Sequence, residues 1–450
     1  MARPIVALVG RPNTGKSTLF NRLIGWQKAL VDRQPGLTRD RLYGVAEWRG
    51  RELTVVDTAG LDLDPHDASA AAIEAQTQVA IEQAHAIVLL LDAREGLTSL
   101  DRDIAARLRR SGRPVVVAAN KADDPRRRYL LDELAEVGFP SFVAISAQHG
   151  LGVDELLEAV LAILPAPEEE PPGEEAVARL AIMGRPNVGK SSLLNRLLGD
   201  ERAVVSERPG TTRDPVDTEL SFDGLPVVLV DTAGVRRRSA ARDRLERYSL
   251  LRGIRAMERA DAVLLVLDAS EGVLHQDQQV ASYALEAGKG LVLVVNKVDL
   301  LEPPERRPAR WERQLRADFR FARHAPMVLA SALTGEGVDR VLPTALEVVG
   351  QRRVRVPTAE LNRVLRQAVV DHPPPSYRGR RLQLKFATQA SDETPTIVLF
   401  VNDPGLMHFG YRRYLENQIR QRFGFAGNPI RLVLRSDRDR AGGDGRRQGR

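Results

Sequence analysis

Gly10-Arg11-Pro12-Asn13-Thr14-Gly15-Lys16-Ser17 and Gly184-Arg185-Pro186-Asn187-Val188-Gly189-Lys190-Ser191 are one motif written twice, 174 residues apart. Each copy follows a strand-like apolar run and opens a helical one, the setting of a phosphate-binding loop. Its glycines let the backbone wrap closely around anionic oxygens with N–H groups turned inward, and the following helix adds its N-terminal dipole. In this reading Gly10, Asn13, Thr14, Gly15, Lys16, Ser17 and Thr18 surround phosphates in the first copy. Gly184, Asn187, Val188, Gly189, Lys190, Ser191 and Ser192 do so in the second. Lys16 and Lys190 supply a point charge between the β- and γ-phosphates, and Ser17 and Ser191 ligate Mg2+.

The duplication extends outward from this loop. Thr38-Arg39-Asp40 recurs as Thr212-Arg213-Asp214, and Asp57-Thr58-Ala59-Gly60 as Asp231-Thr232-Ala233-Gly234. The offset grows to 176 at Asn120-Lys121 against Asn296-Lys297, and to 185 at Ser146-Ala147 against Ser331-Ala332. Insertions in the second copy, chiefly around residues 300–325, account for the drift. A repeat at this period is a duplicated domain. Within the first copy, strand-like runs at Ile5–Val9, Leu53–Val56, Ile87–Leu91, Val115–Ala118 and Phe142–Ile145 alternate with helical stretches at Ala68–Gln83, Asp101–Arg110 and Val153–Leu164. Such alternation predicts an α/β fold, a mostly parallel sheet with helices on both faces. Ligand loops then lie at the carboxyl ends of the strands, where every motif here falls.

The remaining motifs fix the nucleotide. Asp57 and Asp231 end strands and suit Mg2+, while the amides of Gly60 and Gly234 suit the γ-phosphate. Thr38 and Thr212 follow Pro-Gly turns and offer a second hydroxyl to Mg2+, so their loops order with triphosphate and loosen with diphosphate. Lys16, Thr38, Gly60, Lys190, Thr212 and Gly234 form the candidate catalytic set. Base identity comes from Asn120-Lys121-Ala122-Asp123 and Asn296-Lys297-Val298-Asp299. Guanine presents a ring N–H beside an exocyclic amine, two donors that one carboxylate accepts together. Adenine lacks that pair and leaves the carboxylate orphaned, so Asp123 and Asp299 select guanine. The lysine stems pack over the base, and the backbone near Ser146-Ala147 and Ser331-Ala332 donates to guanine O6.

Boundaries follow from composition. Residues 1–165 and 178–350 hold the two nucleotide domains, separated by an acidic Pro/Glu linker at 166–177. Residues 351–437 break the repeat and read as helix (Ala359–Asp371), strand (Leu382–Thr388), strand (Thr396–Val401), helix (His408–Phe423) and strand (Ile430–Leu434). Residues 438–450 are Gly, Arg and Asp with almost nothing to bury, a disordered basic tail. The net charge of +6 is uneven: residues 351–450 carry +11, leaving −5 for the rest. That basic third points to a polyanionic partner, or else to a solvated surface on a chain that prefers Arg. With no cysteine, disulfides and thiolate metal sites are excluded, which fits a reducing cytoplasm. The longest apolar runs are strand-length, so no membrane span is expected.

The motif set resembles that of translation-factor-class GTPases. Two tandem copies with a small basic C-terminal domain resemble the EngA (Der) family of bacterial ribosome-assembly GTPases. The likeness covers residues 3–435 and includes the doubled Arg-Pro-Asn-x-Gly-Lys-Ser, the Thr-Arg-Asp segments, Tyr411–Arg420 and Gly427–Ile430. It implies two tandem P-loop GTPase domains plus a C-terminal α+β KH-like domain. It also implies GTP and GDP as ligands, and the large ribosomal subunit with its rRNA as partner. The chain is expected to act as a cytoplasmic monomer.

For RNA phosphates the candidates are Arg380, Arg381, Lys385, Arg412, Arg413 and Arg420. KH domains clamp RNA with Gly-x-x-Gly between two helices. Gly424-Phe425-Ala426-Gly427 matches the string but precedes a strand, and reads as a helix-ending turn. Tyr411, Tyr414 and Phe423 are placed to stack bases or, at helical spacing, to fill the core. Ras-like GTPases orient water with a Gln after Asp-x-x-Gly, whereas Leu61 and Val235 stand here. Either hydrolysis is slow, or backbone or another cation takes that role. The family's likeness to potassium-activated GTPases implies the cation, with Asn13 and Asn187 at the K+-binding position; the alternative is that both asparagines satisfy loop backbone. Two other functions fit part of the pattern. A tRNA-modification GTPase carries one G domain and a C-terminal Cys, whereas this chain has two and none. A nucleotide-gated RNA-binding scaffold would keep one hydrolytically active G domain.

Overall fold

The computed structural model describes residues 3–28, 43–58, 77–78, 80–123, 136–164, 178–200, 202–205, 217–232, 253–377, 379–391 and 394–436. Thr38, Gly60, Leu61, Thr212, Gly234, Val235, the linker and the basic tail lie outside them, as does most of the helix expected over Ala68–Gln83. The chain divides into two compact units, one mainly Leu37–Glu175 and the other mainly Ala176–Val235 with Ala260–Arg450.

The first unit holds a six-stranded sheet of β1 (Ile5–Val9), β2 (Tyr43–Trp48), β3 (Arg51–Asp57), β4 (Ala86–Asp92), β5 (Val115–Asn120) and β6 (Phe142–Ala144), in the order β2-β3-β1-β4-β5-β6. Every pairing is parallel except β2 with β3. That hairpin turns through Arg49 (φ 49°) and Gly50 (φ 78°), the double positive φ that matches strand twist. β1 and β4 are buried throughout, which is why they read as unbroken apolar runs rather than alternating ones. The helices Lys16–Lys28 and Val153–Ile163 bury Leu19, Phe20, Leu156 and Val160 with Leu8, Val55, Val88 and Val116. Helix Ser99–Ser111 opens on a reciprocal cap between Thr98 and Asp101 and closes at Gly112 (φ 65°).

The second unit repeats this sheet. β7 (Ala178–Met183), β8 (Ala203–Val205), β9 (Thr218–Phe222), β10 (Leu225–Val230), β11 (Ala262–Asp268), β12 (Gly290–Asn296) and β13 (Met327–Leu329) run in the order β13-β12-β11-β7-β10-β9-β8. β8 adds an antiparallel edge, and Asp223-Gly224 makes the β9–β10 turn with φ of 48° and 80°. The sheet is therefore mostly parallel, as the alternation predicts, with antiparallel edges that the sequence pattern did not single out.

After helix Val341–Arg352 come helices Thr358–Asp371 and Phe409–Phe423 and a sheet of β16 (Leu384–Ser391), β17 (Thr396–Val401) and β18 (Arg431–Ser436). A small hairpin, β14 (Ser376–Tyr377) with β15 (Arg380–Arg381), adds to the expected order. β17 pairs antiparallel with β16 and parallel with β18. Leu361, Leu365, Leu399, Val401, Leu415 and Ile419 form its core. The string Gly424–Gly427 does end the helix, since the Gly424 amide donates to Arg420 O at 2.9 Å. It then packs on β12: the Leu291 amide donates to Gly427 O at 2.9 Å, and the Gly427 amide to His324 O at 2.8 Å. A Cβ at Gly427 would lie 2.5 Å from Val348, so no larger residue fits.

Candidate nucleotide sites

Each phosphate loop leaves the central strand with backbone that only glycine tolerates. Gly10 (φ 155°) and Gly15 (φ 93°) would place a Cβ 2.4 Å from Leu90 O and 2.2 Å from Asn120 Nδ2. Gly184 (φ 143°) and Gly189 (φ 97°) would meet Val266 O at 2.4 Å and Asn296 Nδ2 at 2.2 Å. The sheet and the base-side asparagine thus press directly on the loop. Lys16 Nζ donates to Gly10 O at 2.7 Å and Arg11 O at 2.8 Å; Lys190 Nζ donates to Gly184 O at 2.8 Å and Arg185 O at 2.5 Å. Burial, with Arg185 adding repulsion, pushes the Lys190 ammonium down to about 8. A phosphate beside it would reverse that shift.

Loop and base side are tied by one side chain. Asn120 Nδ2 donates to Thr14 O at 2.8 Å and its Oδ1 accepts from the Ala147 amide at 2.9 Å. Asn296 repeats both contacts, with Val188 O at 2.8 Å and the Ala332 amide at 2.9 Å. The Ala147 and Ala332 amides thereby satisfy the buried asparagine oxygens, which burial would otherwise leave unpaired. Ser146 and Ser331 sit beside them, buried, their hydroxyls accepting from the His149 and Thr334 amides.

Lys121 and Lys297 adopt left-handed backbone, φ 66° and 65°. Lys121 Nζ reaches Asn13 O at 2.8 Å and Asp92 Oδ2 at 2.6 Å, and Lys297 Nζ reaches Asp268 Oδ2 at 2.5 Å. Burial alone would raise the Asp268 carboxyl, but bonds from Lys297 and Ser270 hold it below its ordinary range. Sequence reading missed Asp92 and Asp268. Their signal was available, an Asp closing an apolar strand at the same 176-residue offset as the Asn-Lys motif.

The two carboxylates expected to select the base differ. Asp123 takes both oxygens to Arg94 Nη2, at 3.3 and 3.0 Å, with the His149 imidazole 4.0 Å away. Its own backbone amide, then Arg94, hold its carboxyl low against the opposing effect of burial. Asp299 Oδ1 is buried with no hydrogen-bond partner among the described residues.

On the metal side Ser17 Oγ donates to Asp57 Oδ2 at 2.6 Å, and Asp57 is buried. A hydroxyl and a carboxylate converging beside the phosphate loop are the all-oxygen donors a hard cation takes. In the second copy Asp231 (φ 53°) follows the last residue of its strand, its amide donating to Asp217 Oδ1 at 2.9 Å. Among the described residues, the Asn13 and Asn187 side chains make no hydrogen bond to loop backbone. Both stand at φ 64°. A further pair that sequence reading did not use anchors each loop. Arg11 Nε lies 3.1 Å from the buried Asp101, and Arg185 Nε 3.0 Å from the buried Asp277. Asp101 also takes part in the reciprocal cap of the helix it opens, and Asp277 accepts from the Leu274 amide at 3.0 Å at the start of its own helix.

The basic set in the C-terminal domain separates into two groups. Arg420 is spent internally, donating to Phe425 O and, at 2.9 Å, to Asn428 O, and burial pushes it down to about 10. Arg412 donates to Leu432 O at 2.7 Å and pairs with Glu416, and Arg413 donates to Arg320 O at 2.7 Å. These contacts correct the assignment of Arg412 and Arg420 to RNA. Arg380, Arg381 and Lys385 are exposed. Tyr411 is buried, and Tyr414 donates to Ala368 O at 3.0 Å, so the tyrosines fill the core rather than stack bases.

Comparison with known proteins places these features. The family model described as 50S ribosome-binding GTPase matches residues 5–121 and 179–297, and that of the KH-domain-like C-terminal region of EngA bacterial GTPase enzymes matches 355–435. The GTPase Der of Moorella thermoacetica is 49% identical over 98% of this chain and 100% of its own. That of Chloroflexus aggregans is 48% identical over 97% and 98%. A solved structure of Aquifex aeolicus Era aligns over 47% of this chain and 75% of its own, at 25% identity and a TM-score of 0.31.

Proposed function

The chain belongs to the EngA (Der) family of GTPases, and from that premise we propose that it hydrolyses GTP to GDP and phosphate at two sites. We further infer that it acts as a nucleotide-dependent switch in assembly of the large ribosomal subunit. The observation that carries this reading is the doubled asparagine tie. Asn120 and Asn296 each join the phosphate loop to the base-side loop through two hydrogen bonds of 2.8 and 2.9 Å. A ligand presenting phosphate and base together would span the two loops so joined.

The residues divide the work. Lys16 and Lys190 bring an ammonium to the β- and γ-phosphates, and the loop amides bind oxygens without reorganising. Asp123 and Asp299 accept the two guanine donors. Ser17 with Asp57, and Ser191 with Asp231, would hold Mg2+, joined by Thr38 and Thr212. That ion, when bound, neutralises charge on the transferred phosphoryl group. The exposed amides of Asn13 and Asn187 suit K+, whose charge offsets that of the departing γ-phosphate where no Gln is available. Gly60 and Gly234 are assigned to the γ-phosphate by their place in Asp-x-x-Gly. The exposed Arg380, Arg381, Lys385 and Arg413 are the RNA-facing residues we retain.

No helix among the described residues is long and apolar enough to cross a membrane. From membership of a ribosome-assembly GTPase family we infer that the chain works in the cytoplasm, as a monomer. The test is co-sedimentation with large ribosomal subunits under GDP and under a non-hydrolysable GTP analogue. Pelleting that depends on the nucleotide is expected; equal pelleting, or none, would remove the switch on the ribosome. Single-turnover hydrolysis by Lys16→Ala and Lys190→Ala variants then assigns activity to each site.

A further inference from the structure

The strands that carry Asp92 and Asp268 continue as Asp92-Ala93-Arg94 and Asp268-Ala269-Ser270. The backbone of the third residue does the same thing twice. The Arg94 amide donates to Asp92 Oδ1 at 2.8 Å, and the Ser270 amide to Asp268 Oδ1 at 2.9 Å. The side chains then part. Ser270 Oγ turns back to Asp268 Oδ1 at 2.6 Å. Arg94 instead runs out along the base side and places Nη2 3.3 and 3.0 Å from the two oxygens of Asp123. Ser270 is too short to do this for Asp299, whose Oδ1 is buried and unpartnered among the described residues. The residue at the His149 position is Thr334 in the second copy, so that neighbouring imidazole is also peculiar to the first.

We propose that Arg94 is a specificity-determining residue of the first nucleotide site, lowering both its affinity for guanine nucleotides and its preference for guanine over adenine. The inference rests on the reading of Asp123 and Asp299 as base-selecting carboxylates. The guanine ring N–H and amine need the same carboxylate lone pairs that the Arg94 guanidinium takes, so guanine binds at the expense of an existing ion pair. Adenine is rejected by such a site largely because it leaves the acceptor unpaired in a desolvated place. Arg94 keeps Asp123 partnered when adenine arrives, which removes part of that penalty. At Asp299 nothing among the described residues offsets it, and the full penalty applies. The two sites thus carry the same base-reading motif with different selectivity.

The experiment uses the full chain in a Lys190→Ala background, so that the first site retains its phosphate ammonium, with fluorescent N-methylanthraniloyl GDP and ADP as probes. Arg94→Ser, which installs the residue of the second copy, is expected to tighten GDP roughly two- to fivefold, the range of an exposed ion pair. ADP should respond less, so the ADP-to-GDP ratio of Kd values widens. Arg94→Lys keeps the charge on a shorter, more strongly hydrated ammonium and should fall between. Arg94 is half-exposed, so these variants are expected to fold. The reciprocal Ser270→Arg in a Lys16→Ala background should narrow the ratio at the second site. An unchanged ratio, or weaker GDP binding, in Arg94→Ser would overturn the proposal. Asp123→Ala in the first background separates the two levels. Undiminished GDP binding there removes the base-selecting role of Asp123 and the inference with it. Lost GDP binding there, with no response to Arg94→Ser, removes the role of Arg94 alone.

Discussion

The Lys121 ammonium lies 2.6 Å from Asp92 Oδ2, and its duplicate Lys297 lies 2.5 Å from Asp268 Oδ2. Both aspartates are buried, whereas the lysines are about one-third exposed. A buried carboxylate can fix a long flexible stem that would otherwise sample many rotamers. The lysine stem is thereby anchored at its ammonium end before any ligand arrives.

Removing the charge from that carboxylate should loosen the stem without unfolding the sheet. Asp92→Asn and Asp268→Asn are each expected to weaken guanine-nucleotide binding at their own site by about tenfold, the scale of a charge-assisted hydrogen bond. Titration calorimetry in a background where the other phosphate-loop lysine is Ala reads this. Wild-type affinity in both variants would show the lysine needs no such support.

Base selection gives a sharper outcome. Asp299→Asn replaces an acceptor by a donor, so the second site should lose GTP and gain xanthosine triphosphate, whose C2 carries a carbonyl. Hydrolysis measured with each nucleotide checks the exchange. Undiminished use of GTP at that site would mean that another group reads the base.

The Asn13 and Asn187 side chains, unbonded to their loops, make an alkali-metal dependence testable. Replacing KCl by NaCl at constant ionic strength is expected to lower kcat several-fold, with little change in GDP affinity. Equal rates in the two salts would be incompatible with a K+ at this position.

Acid should act on the second unit through His324. Burial, aided by Arg420, holds its imidazole well below the ordinary value. Between that depressed value and about 6.5 the unfolded chain binds more protons than the folded one, so stability falls as pH drops through this window. His324→Leu should flatten the fall in Tm between pH 7 and pH 5 relative to wild type. A parallel decline in both proteins would assign the acid sensitivity elsewhere.

Much of this site was legible before any coordinates. The phosphate loops and the doubled Asp-x-x-Gly and Asn-Lys-x-Asp segments are short motifs whose residue order is read directly from the sequence. β1, β4 and β11 were legible too, because a strand buried on both faces must be apolar at every position. The Asp223-Gly224 hairpin carried a turn signal that the alternation of strands and helices obscured.

Three-dimensional neighbours decided the rest. Nothing in the sequence pairs Arg94 with Asp123 or Lys121 with Asp92, each 29 residues apart. Nor does it send Arg420 into backbone carbonyls while leaving Arg380 at the surface. A motif records what one segment must be, whereas a side chain's partner depends on which strands the sheet sets side by side. The sequence by itself determined that there are two guanine-nucleotide sites of one kind. The tertiary structure made them unequal, because one carboxylate meets a guanidinium from the neighbouring strand end and the other does not.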